Sequence, residues 1–202
     1  MKVVLIGASG AAGSRILAEL SRRGHSVTAV ARDPSRIAAL PGVSAKAGDA
    51  NDKAGLAALL AGHDAVVSSV HFTASDPDLL IGAVRQAGVS RYLVVGGAGG
   101  LQAAPGVRVI DLPAFPEAYR AEAQAGIAFL DKLRAVDDLE WTFLSPSAEF
   151  VPGERTGKFR LSDEALLVGP EGSKISFEDY AIALVDELET PRHVRARFTV
   201  GY

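Results

Sequence analysis

The stretch Lys2-Val-Val-Leu-Ile-Gly7-Ala-Ser-Gly10-Ala-Ala-Gly13-Ser-Arg15 decides how the rest of the chain is read. Val3 to Ile6 is a run of β-branched and apolar residues, the composition of a strand covered on both faces. It enters a turn carrying Gly7, Gly10 and Gly13. A helical pattern follows, with Ile16, Leu17 and Leu20 on one face and Gly24 as its stop. Strand, glycine turn and helix in this order form the context that a dinucleotide-binding fingerprint requires. The glycines permit a tight turn and close approach of the backbone to a pyrophosphate, and the helix N-terminus adds free N–H groups and partial positive charge. Ser9, Ala11 and Ala12, between the glycines and at the helix start, complete the expected phosphate contact.

The same alternation continues outward. Ser26–Ala31, Val43–Ala47, Asp64–Val70 and Tyr92–Val95 read as further strands. Between them lie a short helix after Pro34, a helix over Lys53–Leu60, and one opened by Asp76-Pro77 and ended by Gly88. This spacing implies βαβ crossovers: an α/β fold with a doubly wound parallel sheet, helices on both faces and a ligand site at the strand C-termini. Leu101–Pro116 reads as a long functional loop. A helix over Glu117–Ala135 and a strand over Trp141–Leu144 come next. Residues 145–175 read as a small C-terminal substrate lobe over the strand ends, with strand-like pieces at Lys158–Leu161 and Ala165–Val168. Ser176 and Asp179 form a capping-box-like start to a last helix through Leu188, and Phe198–Val200 is a final strand. The whole of 1–202 is expected to be one domain.

Composition narrows the function classes. With 202 residues, 48% of them hydrophobic, the chain can bury a core without staples. A net charge of −3 gives no electrostatic footprint for nucleic acid. The absence of cysteine removes disulfides, thiolate metal sites and cysteine nucleophiles. His25, His63, His71 and His193 lack ligand spacing, so no metal site is expected. The apolar run Val3–Ile6 is shorter than the about 7–15 residues of a secretory core, and no segment approaches the roughly 20 of a membrane span. The expectation is a cytoplasmic protein, monomer or homodimer, whose partner is a small molecule rather than a membrane or nucleic acid.

Cofactor type is decided at the end of the second strand, where an acidic residue holds the ribose of NAD and an arginine accommodates the 2′-phosphate of NADP. Arg32 leaves the strand first, with Asp33 behind it and Arg36 nearby. Arg32 on the phosphate and Asp33 as an N-cap before Pro34 favour NADP(H) over NAD(H). The alternative is Arg32 as a solvated surface charge. Asp49 is placed to meet the adenine amine or to serve an ordinary turn. Ser68, Ser69, Val70 and His71 leave the fourth strand beside the expected pyrophosphate and ribose, and Gly96, Gly97, Ser145 and Pro146 follow the fifth and sixth strands toward the nicotinamide. The glycines Gly96 to Gly100 either leave space for a flat ring or only form a turn.

Gly7-x-x-Gly10-x-x-Gly13, Ala31-Arg32-Asp33-Pro34, Gly48-Asp49 and Asp64-Ala-Val-Val67 together resemble the atypical short-chain dehydrogenase/reductases that bind NAD(P)H. Val95-Gly-Gly-Ala-Gly-Gly-Leu101, Trp141-Thr-Phe-Leu-Ser-Pro146, Pro152-Gly-Glu-Arg-Thr-Gly157 and Arg197-Phe-Thr-Val-Gly-Tyr202 resemble the NADH-flavin reductase branch, with NmrA-like proteins as relatives. The resemblance implies a Rossmann-type fold, NADP(H) along the glycine turn, and reduction of FMN, FAD or another planar acceptor such as a quinone. One departure matters. Typical members protonate a carbonyl through Tyr-x-x-x-Lys, but four residues after Tyr119 stands Ala123, and Tyr92 and Tyr180 are followed at that spacing by Gly96 and Leu184. Free tyrosine titrates near about 10, so Tyr119 without a lysine is a poor acid–base group at neutral pH. Alcohol–ketone chemistry is disfavoured, and hydride transfer to a flavin or quinone, or binding without turnover in a regulatory module, fits better. Tyr119 and His71, the one histidine at a strand C-terminus, stand as the candidate catalytic groups.

Overall fold

The computed structural model describes residues 1–202. β1 (Lys2–Ile6), α1 (Ala11–Arg22), β2 (Ser26–Ala31), β3 (Val43–Ala47), α2 (Lys53–Leu60), β4 (Ala65–Ser68), α3 (Pro77–Gln86) and β5 (Arg91–Val95) form the first half. The second half comprises β6 (Gln102–Ala104), β7 (Val107–Arg108), α4 (Arg120–Arg134), β8 (Glu140–Pro146), β9 (Glu149–Val151), β10 (Arg160–Ser162), β11 (Lys174–Ser176), α5 (Phe177–Glu189) and β12 (Ala196–Gly201).

Eight strands form the central sheet in the order β10-β12-β8-β5-β4-β1-β2-β3. All neighbours are parallel except the edge strand β10, which runs antiparallel to β12. The chain therefore winds outward from β1 in both directions, and the strand order reverses between β1 and β4. In an open sheet that reversal leaves a crevice beyond the strand C-termini.

Period-two alternation distributes the core between two faces. Val3 and Leu5 of β1 point to the layer of α1 and α5, meeting Ile16, Leu17, Leu20, Tyr180 and Leu184. Val4 and Ile6 point the other way, toward Leu56 and Leu60 of α2, Leu80 and Val84 of α3, and Phe129 and Leu133 of α4. Helices thus cover both faces, which is why the inner strands carry almost no polar residues. This is the doubly wound Rossmann arrangement.

Several boundaries differ from the sequence reading. The fourth strand stops at Ser68: Ser69 N makes a last bond to β1, at Ile6 O (2.9 Å), and the Ser69 carbonyl packs directly on Gly7. The expected helix over Glu117–Ala135 begins instead as a 3-10 turn, Glu117–Tyr119, before α4. The Leu101–Pro116 loop contains the small hairpin β6–β7. Ala165–Val168 does not form a strand and contributes a single bridge, Gln102 with Ala165. Within residues 145–175, Ser145 and Pro146 complete β8, β10 extends the main sheet, and β9 pairs parallel with β11.

Buried carboxylates fasten this segment. Arg155 donates from Nε and Nη2 to Glu19 of α1 at 2.9 and 2.8 Å. Burial alone raises the Glu19 carboxyl, but Arg155 and Arg23 outweigh it and hold the group at about 2. Asp179, fully buried at the start of α5, accepts from the backbone N–H groups of Thr156 and Gly157, each at 2.8 Å. Ser176 caps the helix by accepting from Asp179 N at 3.0 Å.

Candidate functional site

The glycine turn has a steric logic that can be read atom by atom. Gly7 adopts φ of +82°, and a Cβ there would fall 2.1 Å from the carbonyl oxygen of Ser69. Both facts exclude a side chain. A Cβ on Gly13 would fall 2.1 Å from the Gly7 carbonyl oxygen, so this glycine lets α1 sit against the turn. Gly10 is different. It is exposed and its nearest obstruction is the Gly7 oxygen at 3.3 Å, which leaves its outer side clear for a ligand. Gly10 is also the N-cap of α1, with no side-chain cap and no acidic residue in the first turn. The N-terminal N–H groups of α1 therefore remain free to bind a phosphate.

A cleft of about 660 Å³ opens over this turn. Gly7, Ser9, Gly10, Ala11 and Ala12 form its floor, and Ser69, Val70, His71 and Gly96 continue it across β4 and β5. Arg32, Arg36 and Asp49 lie at the far end. Both arginines are exposed and neither takes part in an ion pair, whereas most other arginines of the chain do. Asp33 does not compete for them. Its Oδ1 caps the following turn, accepting from Ser35 N at 3.0 Å and Ser35 Oγ at 2.6 Å. Asp49 also serves its turn, accepting from Asn51 N at 2.9 Å. The donor set fits a dinucleotide: uncapped N–H groups at the centre and two free guanidinium groups at one end.

Five expected site residues fall outside this cleft. Gly13 lies beneath the turn. Ser68 is 2% exposed and shares a hydrogen bond of 2.9 Å with the Tyr92 hydroxyl, because strand alternation turns it into the sheet interior. Ser145 and Pro146 are buried within β8, which runs two residues beyond the expected Leu144 end and pairs with β12 there. Gly97 lines an adjoining pocket instead.

That second pocket, about 720 Å³, meets the cleft at Phe72, Gly96, Tyr119, Glu122 and Phe150. Its remaining wall is mostly apolar, including Leu112, Phe115, Ile127, Leu130 and Phe143. The glycine run behaves unevenly here. A Cβ on Gly96 would fall 2.3 Å from the Phe143 ring, and one on Gly99 would fall 2.7 Å from Ala123 Cβ. Those two glycines admit neighbouring protein groups. Only Gly97, whose virtual Cβ lies 3.9 Å from Phe72, faces open pocket.

The candidate catalytic groups are both at the mouth. The side chain of His71 is 85% exposed, with Nδ1 3.5 Å from Glu122. Tyr119 is 66% exposed and lines both cavities. Glu122 accepts from Phe72 N at 2.7 Å, and from Thr73 N and Oγ1 at 3.0 and 2.7 Å, thereby fixing the turn after β4. Burial opposes its ionisation, but the bonds from Thr73 and Phe72 prevail and keep its carboxyl below the usual range. Glu122 was not legible as a site residue, since its partners are backbone groups some fifty positions away. Phe72 and Phe177, which also line the cleft, read locally as ordinary apolar residues and carry no signal of their own.

A family model described as NAD(P)H-binding matches residues 7–191. The chain belongs to this NAD(P)H-binding family. Three solved structures share the architecture over its full length. A candidate exported protein from Burkholderia pseudomallei is 47% identical, with 100% of both chains covered and a TM-score of 0.91. A candidate epimerase from Bacteroides thetaiotaomicron is 40% identical over 100% of this chain and 96% of its own, with a TM-score of 0.94. A candidate NADH-flavin reductase from Streptococcus pneumoniae is 37% identical over 100% of this chain and 99% of its own, with a TM-score of 0.84. The fold of this NAD(P)H-binding protein is therefore of an oxidoreductase-like type, and no helix in it is long and apolar enough to cross a membrane.

Proposed function

We propose that the protein is an NADPH-dependent oxidoreductase that reduces a flat acceptor, a flavin or a quinone-like ring. The carrying observation is the apolar pocket that opens into the dinucleotide cleft at Gly96 and Phe72. Bound NADPH supplies a hydride. The free N–H groups of α1 would hold its pyrophosphate, and Arg32 and Arg36 its 2′-phosphate. Phe72, Phe150 and the open side of Gly97 would orient a flat acceptor and keep water from the reacting faces. A quinone or flavin carries its own electron-accepting system, so the chain needs to position it rather than activate it. Ala123, in place of the lysine of related enzymes, leaves that wall apolar. The resemblance to the Streptococcus candidate supports the flavin reductase reading, and the proposed use of NADPH carries with it a cytoplasmic location.

Stopped-flow loss of NADPH absorbance with riboflavin, FMN or menadione tests the proposal. Oxidation well above the protein-free rate is expected, and none across these acceptors refutes it. The absent Tyr-x-x-x-Lys pair favours a second reading, a module that binds NADP(H) without turnover. Tight calorimetric binding with no oxidation by any acceptor would select it.

A further inference from the structure

The apolar pocket has a cation in its wall. Arg197 of β12 lines it, yet the side chain is only 4% exposed. A Cβ placed on Gly100 would fall 3.0 Å from Arg197 Nη1, so the glycine there is what admits the guanidinium. Nη2 pairs with Glu164, a residue 42% exposed. Glu164 is shared, since it also accepts from Arg134 at 3.4 Å. Meanwhile Arg197 Nε is buried with no hydrogen-bond partner. Burial, and then the positive charge of Arg134, lower Arg197 to about 10, so it stays cationic at neutral pH.

The surrounding sheet adds to the imbalance. Thr199 lies two residues after Arg197 and so on the same face of β12, and its register partner is Ser145 of β8. Both hydroxyls are buried and lack partners. Phe143, two residues before Ser145, shares that face and lines the pocket. Buried polar groups are nearly always paired, and leaving one unpaired is costly, most of all when it is charged. The pocket's other charged groups are committed elsewhere: Glu122 to the 72–73 turn and Glu149 to Lys174 at 3.8 Å.

We infer that the pocket selects acceptors with a flat apolar body and an acidic oxygen group, a carboxylate in the first instance, which Arg197 recognises in competition with Glu164. The inference rests on the reductase reading for its acceptor, but concerns which ring systems are taken. A guanidinium presents donors in a planar fork that matches a carboxylate. The substrate carboxylate would accept from Arg197 and displace the exposed, shared Glu164 toward solvent.

Calorimetric titration with naphthalene-2-carboxylate and naphthalene-2-carboxamide, in the presence of saturating NADP, tests this without turnover. The two probes share shape and differ in charge. The carboxylate is expected to bind about 10- to 100-fold more tightly, the range of a charge-assisted hydrogen bond to a partly desolvated cation. Arg197→Met should remove that preference, while Glu164→Gln should widen it by deleting the internal competitor. Equal or weaker binding of the carboxylate to the wild-type protein, or failure of both probes to bind, overturns the inference. So does a preference that survives Arg197→Met. If that variant does not fold, Glu164→Gln decides: a wider preference supports the inference, and an unchanged or narrower one overturns it. Menadione-driven NADPH oxidation, measured on the same preparation, reports separately on the reductase reading.

Discussion

Gly96 and Gly97 are adjacent, identical in type and opposite in expected response to alanine. A methyl group on Gly96 would lie 2.3 and 2.7 Å from two carbons of the Phe143 ring and 2.8 Å from the Leu144 carbonyl oxygen. The backbone cannot shift aside without cost, because Gly96 N donates to that same oxygen at 2.8 Å and thereby extends the β5–β8 register. Nor is Phe143 free to move, being stacked on Phe72 with centroids 5.9 Å apart. Overpacking of this kind costs about 1–3 kcal/mol. At roughly 2–4 °C per kcal/mol for a chain of this size, Gly96→Ala should lower Tm by about 2–12 °C. Gly97→Ala meets only Phe72, at 3.9 Å. Reduced freedom of the unfolded chain offsets any small strain there, by about 0.4–1 kcal/mol, so its Tm should hold or rise slightly. Its effect belongs to the pocket instead: the acceptor KM should rise several-fold while the NADPH KM is unchanged. Thermal melts and steady-state kinetics on both variants settle the matter. Equal destabilisation by the two substitutions, or an indifferent Gly96→Ala, would refute the division of this run into packing and pocket glycines.

Other expectations follow from the site and its supports. Arg32→Ala should weaken NADPH about 10- to 100-fold, the worth of a charged contact to phosphate, while NADH changes little; equal losses in calorimetric Kd would remove the phosphate assignment. His71→Ala should leave turnover within about threefold, given its exposure, whereas Glu122→Ala should lower it at least tenfold by releasing the Phe72–Thr73 turn; the reverse order would make His71 the proton donor. Glu19 is held at about 2 in the fold against an ordinary 4.5. Its folded pKa is the lower one, so its stabilising contribution is complete above about pH 4.5 and is lost as pH falls toward 2. Thermal melts between pH 6 and 2.5 should therefore show a shallower decline for Glu19→Gln than for the wild type, and parallel declines would count against the Glu19–Arg155 clamp.

How much of this was legible beforehand depends on the range of the interactions involved. The glycine turn, the strand and helix alternation, the Asp33 cap and the Ser176 cap are local, carried by residues a few positions apart, and each could be read in order along the chain. So could the absence of a lysine four residues after Tyr119. The boundaries that moved are those set by partners far away in sequence. Ser68 looked like a site hydroxyl until Tyr92 claimed it, and β8 outran its expected end because β12 was there to pair with it. The four glycines about Ala98 show the limit most clearly: they are identical in sequence, yet Gly96 and Gly99 yield to Phe143 and Ala123, Gly100 yields to Arg197, and Gly97 alone faces open space.

By itself, then, the sequence determined a doubly wound sheet with a dinucleotide turn at its first crossover, because strand period, helix period and turn chemistry are properties of neighbours. Only the tertiary structure decided what adjoins that turn. The apolar pocket, its junction at Phe72 and Tyr119, and the buried guanidinium of Arg197 are assembled from α4, β8, β12 and the segments that follow β4 and β5, whose proximity exists only once the sheet has formed. The walls of the second pocket reside in those long-range contacts, and the glycine turn in the local ones.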